Sequence, residues 1–189
     1  MKKHCVFAMV ICLCLLVFTS SLAADVLPPA VGAAFPEIKF PVPGESDSRT
    51  YLGLSRGGYF SLQDIKTKVV VVEILSMYCP HCQREAPGVN EVHDLIEKNP
   101  FLKGKVKLIG IAAGNSAYET NVFRKKYNVP FPLFKDGDFK LHDILGRVRT
   151  PYFIGVKIDG GVPRVFFSKL GGFDRADEFL KMMVGLSGL

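Results

Sequence analysis

The chain alternates between short apolar runs and segments with helical spacing. Residues 69–72 and 106–112 are continuous apolar runs, which are typical of strands buried on both faces. Between them, over residues 79–99, apolar positions recur every three or four residues and predict an amphipathic helix. Further along, the pattern predicts a helix over 116–127, a strand over 131–134, a short helix over 139–145, a hairpin of strands 151–158 and 162–168, and a helix over 173–184. This order predicts an α/β fold with a central mixed β-sheet flanked by helices.

The segment before the first buried strand has a different character. Residues 25–43 are rich in Pro and Ala, so we expect residues 25–48 to form an extended linker. Residues 51–54 and 59–62 flank Gly57-Gly58 and predict an N-terminal β-hairpin extension. The main domain is therefore predicted over residues 49–189, and its hairpin comes first.

The first 24 residues have the features of a targeting segment. Lys2 and Lys3 precede an apolar run over 6–18, and residues 19–24 are small or polar, as at a signal-peptidase site. The alternative is that this leader is retained as a membrane anchor, because no charge occurs between Cys5 and Ala24. In either case the domain is predicted to be exported to the periplasm or another extracytoplasmic space of a bacterium.

Removing the leader changes the cysteine count and the charge. Three of the five cysteines lie in the leader, so Cys79 and Cys82 alone remain in the exported domain. A single pair of cysteines three positions apart does not cross-link distant parts of a fold, and it is more typical of redox chemistry. Without Lys2 and Lys3, 22 basic residues stand against 18 acidic ones, a net charge of +4. The basic residues form no stripe with interleaved aromatics, so we expect no nucleic-acid binding.

The chemistry is predicted at Cys79-Pro80-His81-Cys82, directly after the first buried strand. Proline suits the first helical turn, which places Cys79 at the helix start, where the helix dipole and free N–H groups favour a thiolate. Cys82 follows one turn later and can close a disulfide with Cys79. A zinc site would need two further ligands, and His93 and His142 have no matching spacing. A copper-binding chaperone that uses the cysteine pair with His81 is a further alternative.

Four features together resemble the thioredoxin superfamily. They are Glu73 six positions before the first cysteine, the Cys-x-x-Cys motif, Pro87 five positions after the second cysteine, and Thr150-Pro151 at a late strand. From about Arg49 onward the chain is similar to the exported TlpA/ResA-like branch. The resemblance implies a thioredoxin fold, a cis Pro151 packed against the cysteine pair, and thiol–disulfide oxidoreductase activity without a bound cofactor. The Pro-x3-Thr/Ser-x2-Cys context of peroxidatic cysteines is absent before Cys79.

The resemblance also implies roles for the site residues. Cys79 is expected to attack the client sulfur and Cys82 to resolve the mixed disulfide. His81 is expected to stabilise the Cys79 thiolate, and Glu73 to accept the proton of Cys82. Residues expected to contact the client or shield the pair are Thr150, Pro151, Tyr78 and Pro80. The expected partners are thiols or disulfides of exported proteins, together with a membrane or periplasmic redox protein.

Two features give opposite indications of the direction of electron flow. The Pro80-His81 dipeptide is associated with DsbA-type oxidants, whereas TlpA-like reductants more often carry Glu-Pro. The large helical insertion of DsbA-like proteins, however, has no counterpart in this chain. The sequence therefore favours a TlpA/ResA-like reductant, with a DsbA-like disulfide donor as the alternative.

Overall fold

The computed structural model describes residues 27–55 and 57–189. The predicted leader, residues 1–24, lies outside the described residues. The strands are β1 (Phe40–Pro41), β2 (Tyr59–Phe60), β3 (Val69–Leu75), β4 (Val106–Ala113), β5 (Leu133–Asp136), β6 (Tyr152–Lys157) and β7 (Arg164–Leu170). The α-helices are α1 (Ser46–Leu52), α2 (Pro80–Lys98), α3 (Ala117–Lys126), α4 (Lys140–Ile144) and α5 (Ala176–Ser187), and a 3₁₀ helix spans Leu62–Asp64.

The five long strands form one mixed sheet in the order β5-β4-β3-β6-β7. Strands β3, β4 and β5 run parallel, whereas β6 pairs antiparallel with β3 and β7 antiparallel with β6. All seven residues of the central strand β3 are buried, which explains its nearly continuous apolar sequence. The predicted α/β architecture with a mixed sheet is confirmed.

The two faces of the sheet carry separate apolar layers. Val70, Val72 and Ile74 of β3 face a layer built from the N-terminal segment and the residues around α4. Val69, Val71 and Leu75 alternate with them and pack beneath α2, α3 and α5. Glu73 shares this second face because of the same alternation. The acidic residue of β3 therefore lies on the side of the sheet where the cysteine-bearing helix α2 packs.

The N-terminal antiparallel pair is present, but its composition differs from the prediction. Strand β2 pairs with β1, in the register Phe40↔Phe60, instead of with residues 51–54. Tyr51 and Leu52 end helix α1, and Gly53, at φ +70°, caps it through its N–H. The apolar residues at 51–54 thus belong to a helix end and the turn after it, so the prediction of a strand there was wrong. Within the described residues no helix has the length and apolar character needed to cross a membrane.

Candidate active site

Cys79 is the residue from which helix α2 begins. It occupies the N-cap position with extended backbone angles, φ −85° and ψ 113°, and Pro80 follows at the first helical position. The backbone N–H of Cys82 donates to Sγ of Cys79 across 3.5 Å. The sulfur of Cys79 thus takes the place of the oxygen that usually caps a helix, and it lies where the helix dipole favours negative charge.

A loop from the other half of the chain closes over the cysteine pair. The thiol of Cys79 donates to the carbonyl oxygen of Thr150 at 3.2 Å, although the two residues are 71 positions apart. The Thr150–Pro151 peptide bond is cis, as the resemblance implied. Both cysteines are free thiols, Cys79 partly exposed and Cys82 fully buried. The exposed sulfur is therefore the one that a client can reach.

The thiols of Cys79 and Cys82 differ in pKa. Partial burial alone would raise the pKa of Cys79, but a hydrogen bond from the Thr150 side chain and the N–H groups of Cys82 and His81 bring it below its ordinary value of 9.0. Burial raises the pKa of Cys82 to about 12, and the nearby Glu73 carboxyl adds to this increase. The pair thus combines one accessible, more acidic thiol with one buried thiol that keeps its proton.

Glu73 is only 4% exposed, and no described residue forms a hydrogen bond or ion pair with its carboxyl. Burial, with a smaller contribution from the charge of Glu85, raises its pKa from 4.5 to about 8. At pH 7 the carboxyl is therefore mostly protonated, and roughly one-tenth of molecules hold the ionised form that could accept a proton from Cys82. The Glu73 carboxyl also raises the pKa of Cys82, so the two groups interact electrostatically.

The other predicted site residues lie around the rim. His81 is exposed, and its Nδ1 accepts a hydrogen bond from Arg84 at 2.8 Å, since a guanidinium can only donate. Arg84 therefore brings a positive charge next to the imidazole. Tyr78 is 63% exposed, and its hydroxyl donates to the carboxylate of Glu119. Pro80 is exposed at the helix start.

The structure adds Asn115, which sequence reasoning did not single out. Its side chain is fully buried, and Oδ1 accepts the backbone N–H of Met77 at 2.8 Å while Nδ2 donates to Ser76 at 3.3 Å. Gln83 also donates to the carbonyl of Met77, at 2.7 Å. These bonds hold Ser76 and Met77, which lie just before Cys79 in the loop between β3 and α2, in place. Asn115 follows a buried strand, which was the one signal in the sequence that could have suggested it.

Glu85 is a second acidic residue near the dithiol that the sequence analysis did not consider. Its carboxylate accepts the backbone N–H of Phe173 at 3.0 Å. Burial raises its pKa, the Phe173 hydrogen bond opposes that increase, and Asp174 adds to it. A Cβ at Gly172 would overlap the Glu85 carboxylate, so an alanine there would displace this carboxylate from its place beside the Phe173 N–H. The segment that joins β7 to α5 is thus packed against helix α2.

These elements enclose a cleft of about 350 Å³ directly beside the cysteine pair. Its walls come from the first two turns of α2, from the cis-proline loop and from the end of β7. The lining residues are His81, Arg84, Glu85, Arg149, Thr150, Pro151, Leu170, Gly171 and Gly172. Among the described residues no three His, Cys, Asp or Glu side chains cluster as a metal site would require.

Comparison with known proteins identifies the family. The family profile described as "AhpC/TSA family" matches residues 31–168, well over half of the chain. The chain belongs to the AhpC/TSA family. It is 22% identical over 129 residues to thiol-disulfide oxidoreductase ResA of Halalkalibacterium halodurans, covering 67% of this chain and 69% of the relative.

Solved structures show the same fold. A secreted disulfide oxidoreductase of Mycobacterium tuberculosis homologous to E. coli DsbE superposes with a TM-score of 0.54 at 22% identity, covering 68% of this chain and 90% of that one. A thiol:disulfide interchange protein of the thioredoxin family from Chlorobium tepidum gives 0.58 at 17% identity, covering 84% and 99%. The predicted thioredoxin fold and the resemblance to ResA-like proteins are confirmed. The predicted class, a thiol–disulfide oxidoreductase, agrees with these relatives.

Proposed function

We propose that this member of the family reduces disulfides of exported proteins through the Cys79–Cys82 dithiol. The observation that carries the proposal is the pairing of two unlike thiols under the Thr150–Pro151 loop. Cys79 is accessible and has a lowered pKa, whereas Cys82 is buried one helical turn further on with its pKa raised to about 12. Such a pair suits a nucleophile and a resolving group.

The exchange has two steps, both of which conserve electrons. The Cys79 thiolate attacks one sulfur of a client disulfide, so that a Cys79–client bond forms, the client S–S bond breaks, and one client thiolate leaves. Cys82 then loses its proton to the ionised carboxylate of Glu73 and attacks Sγ of Cys79. The second client thiolate leaves, which completes reduction of the client, and the protein is left with a Cys79–Cys82 disulfide. A partner dithiol must supply two electrons to restore it.

The reverse direction, in which the protein donates its disulfide, is the second proposal. The lowered pKa of Cys79 favours it, because stabilising the thiolate stabilises the reduced protein and makes its disulfide a stronger oxidant. The ResA-like relative and the absence of a large helical insertion between the described strands favour the reductant. We propose an extracytoplasmic location because of the leader predicted over residues 1–24.

The test is a glutathione redox titration of the cysteine pair, combined with client trapping. A reduction potential near about −250 mV or below supports the reductant, and one near about −120 mV supports the disulfide donor. The Cys82→Ser variant is expected to accumulate a mixed disulfide between Cys79 and a client, whereas Cys79→Ser should trap none. A pair that neither titrates nor traps a client would refute exchange. Stoichiometric copper bound by the reduced protein would then favour the chaperone alternative.

A further inference from the structure

The cleft beside the dithiol contains the described arginines that have no oxygen acceptor. The described residues include seven arginines, and five of them bind an oxygen acceptor. These five are Arg49 with Pro43, Arg124 with Glu45, Arg147 with Asp143, Arg164 with Gly32 and Arg175 with Asp177. The other two, Arg84 and Arg149, have no oxygen acceptor among the described residues, and both line the cleft.

The positions of these two arginines relate them to the reacting sulfur. Arg149 immediately precedes Thr150, whose carbonyl oxygen accepts the Cys79 thiol at 3.2 Å. Arg84 lies on helix α2, which forms another part of the cleft wall, and contacts the ring nitrogen of His81 at 2.8 Å. A polypeptide that lies along this cleft while its sulfur reaches Cys79 therefore contacts a wall that carries two exposed guanidinium groups.

The cleft also contains a carboxyl group. Glu85, which follows Arg84 in helix α2, lines it, and Asp174 lies close enough to affect the pKa of Glu85. The Glu85 carboxylate accepts the backbone N–H of Phe173, whereas Arg84 and Arg149 have no oxygen acceptor among the described residues. The two guanidinium groups therefore keep N–H donors available for a carboxylate of a bound chain.

We propose that Arg84 and Arg149 select client segments that carry an acidic side chain within a residue or two of the reacting cysteine. The inference rests on the proposed exchange at Cys79 and specifies its substrates. Guanidinium groups bind carboxylates through paired N–H donors, and opposite charge at a docking surface also speeds the encounter. Two partly solvated contacts of this kind are expected to change the exchange rate about three- to tenfold.

The experiment uses the reduced full-length protein and three synthetic peptides. Each peptide has one cysteine held as a mixed disulfide with thionitrobenzoate, and the residues on both sides of the cysteine are Glu, Gln or Lys. Attack by Cys79 forms the Cys79–peptide bond and releases coloured thionitrobenzoate. Each rate constant is divided by that of the same peptide with dithiothreitol, which removes differences in the reactivity of the peptides themselves.

The expected result is a Glu-to-Lys rate ratio of about ten that falls sharply in about 0.5 M salt. The ratio should approach one in the double variant Arg84→Gln/Arg149→Gln and fall below one in Arg84→Glu/Arg149→Glu. Arg147→Gln is the matched control, because it removes one charge from the same loop but from a side chain paired with Asp143, and it should keep the preference. Equal rates for the three peptides, or a loss of preference in Arg147→Gln as large as in the cleft variants, would overturn the proposal.

A second measurement separates this inference from the exchange reaction. If no peptide reacts, the proposed exchange fails, and equilibrium binding of peptides with serine in place of cysteine then tests the cleft alone. Tighter binding of the Glu peptide than of the Lys peptide, abolished in Arg84→Gln/Arg149→Gln, supports the selective role of the cleft. Equal binding of the two peptides refutes it.

Discussion

Replacing Glu73 by glutamine is expected to stabilise the reduced protein. The carboxyl is buried in β3, and its pKa is about 8 instead of the ordinary 4.5. Between these pH values the folded protein holds a proton that the unfolded chain has lost, so the free energy of unfolding falls as the pH rises. From pH 4.5 to pH 7 the loss is about 3 kcal/mol, and it levels off above pH 8 at about 5 kcal/mol. Glutamine has nearly the same shape and no charge, so it should remove this loss.

Urea denaturation of the reduced wild-type protein and of Glu73→Gln at several pH values measures the effect. The difference between the two unfolding free energies should be small near pH 4 and grow to about 3 kcal/mol in favour of the variant at pH 7. Taking the difference cancels the titrating groups that do not interact with Glu73. The same substitution should slow resolution of the mixed disulfide about a hundredfold, because the proton acceptor is gone. A stability difference that does not change with pH would show that Glu73 titrates normally, and the reasoning about its burial would be refuted.

Alkylation of the reduced protein near pH 7, followed by mass spectrometry, should modify Cys79 and leave Cys82 intact, because Cys82 is fully buried and its pKa is about 12. Comparable labelling of both cysteines would contradict the assigned difference. Gly172→Ala should lower the free energy of unfolding by about 1–3 kcal/mol through overlap with Glu85, as measured by urea denaturation. Gly185→Ala in helix α5, where nothing lies within 4 Å of the added Cβ, is its control and should be neutral or stabilising; equal losses in both variants would refute the steric explanation.

Local sequence patterns were sufficient to predict the central strands of the sheet and the position of the dithiol. Strands β3 and β4 are long buried apolar runs, and the cysteines lie on the first turn of the helix that follows β3. The hydrophobic pattern and the Cys-x-x-Cys spacing alone are therefore enough to locate the strands and the dithiol. The pattern failed at residues 51–54, where a short apolar segment before Gly57-Gly58 suggested a strand of a hairpin. There, Tyr51 is fixed in a helix by a distant contact, since its hydroxyl accepts the N–H of Leu108 at 2.8 Å.

The residues around the dithiol could not be predicted from local sequence patterns, because they are brought there by contacts between residues far apart in the chain. Asn115, Glu85 and Arg149 reach the site from three separate elements, and Asn115 and Glu85 act through backbone groups that are distant in sequence. Asn115 binds the Met77 N–H, 38 residues away, and Glu85 binds the Phe173 N–H, 88 residues away. Such residues can be recognised only after the strand order has brought their elements to one edge of the sheet.

The capping of helix α2 by Sγ of Cys79 couples folding to electron transfer through a thermodynamic cycle. When the disulfide forms, the sulfur can no longer carry the negative charge that the N–H of Cys82 and the helix dipole stabilise. Any free energy that the cap gives to the reduced folded protein must therefore appear in full in its reduction potential, at about 30 mV for each 1.4 kcal/mol. A reduced form that is more stable to denaturation than the oxidised form would make the protein an oxidant. Two denaturation curves, one for each redox state, would thus give the direction of electron flow without any client.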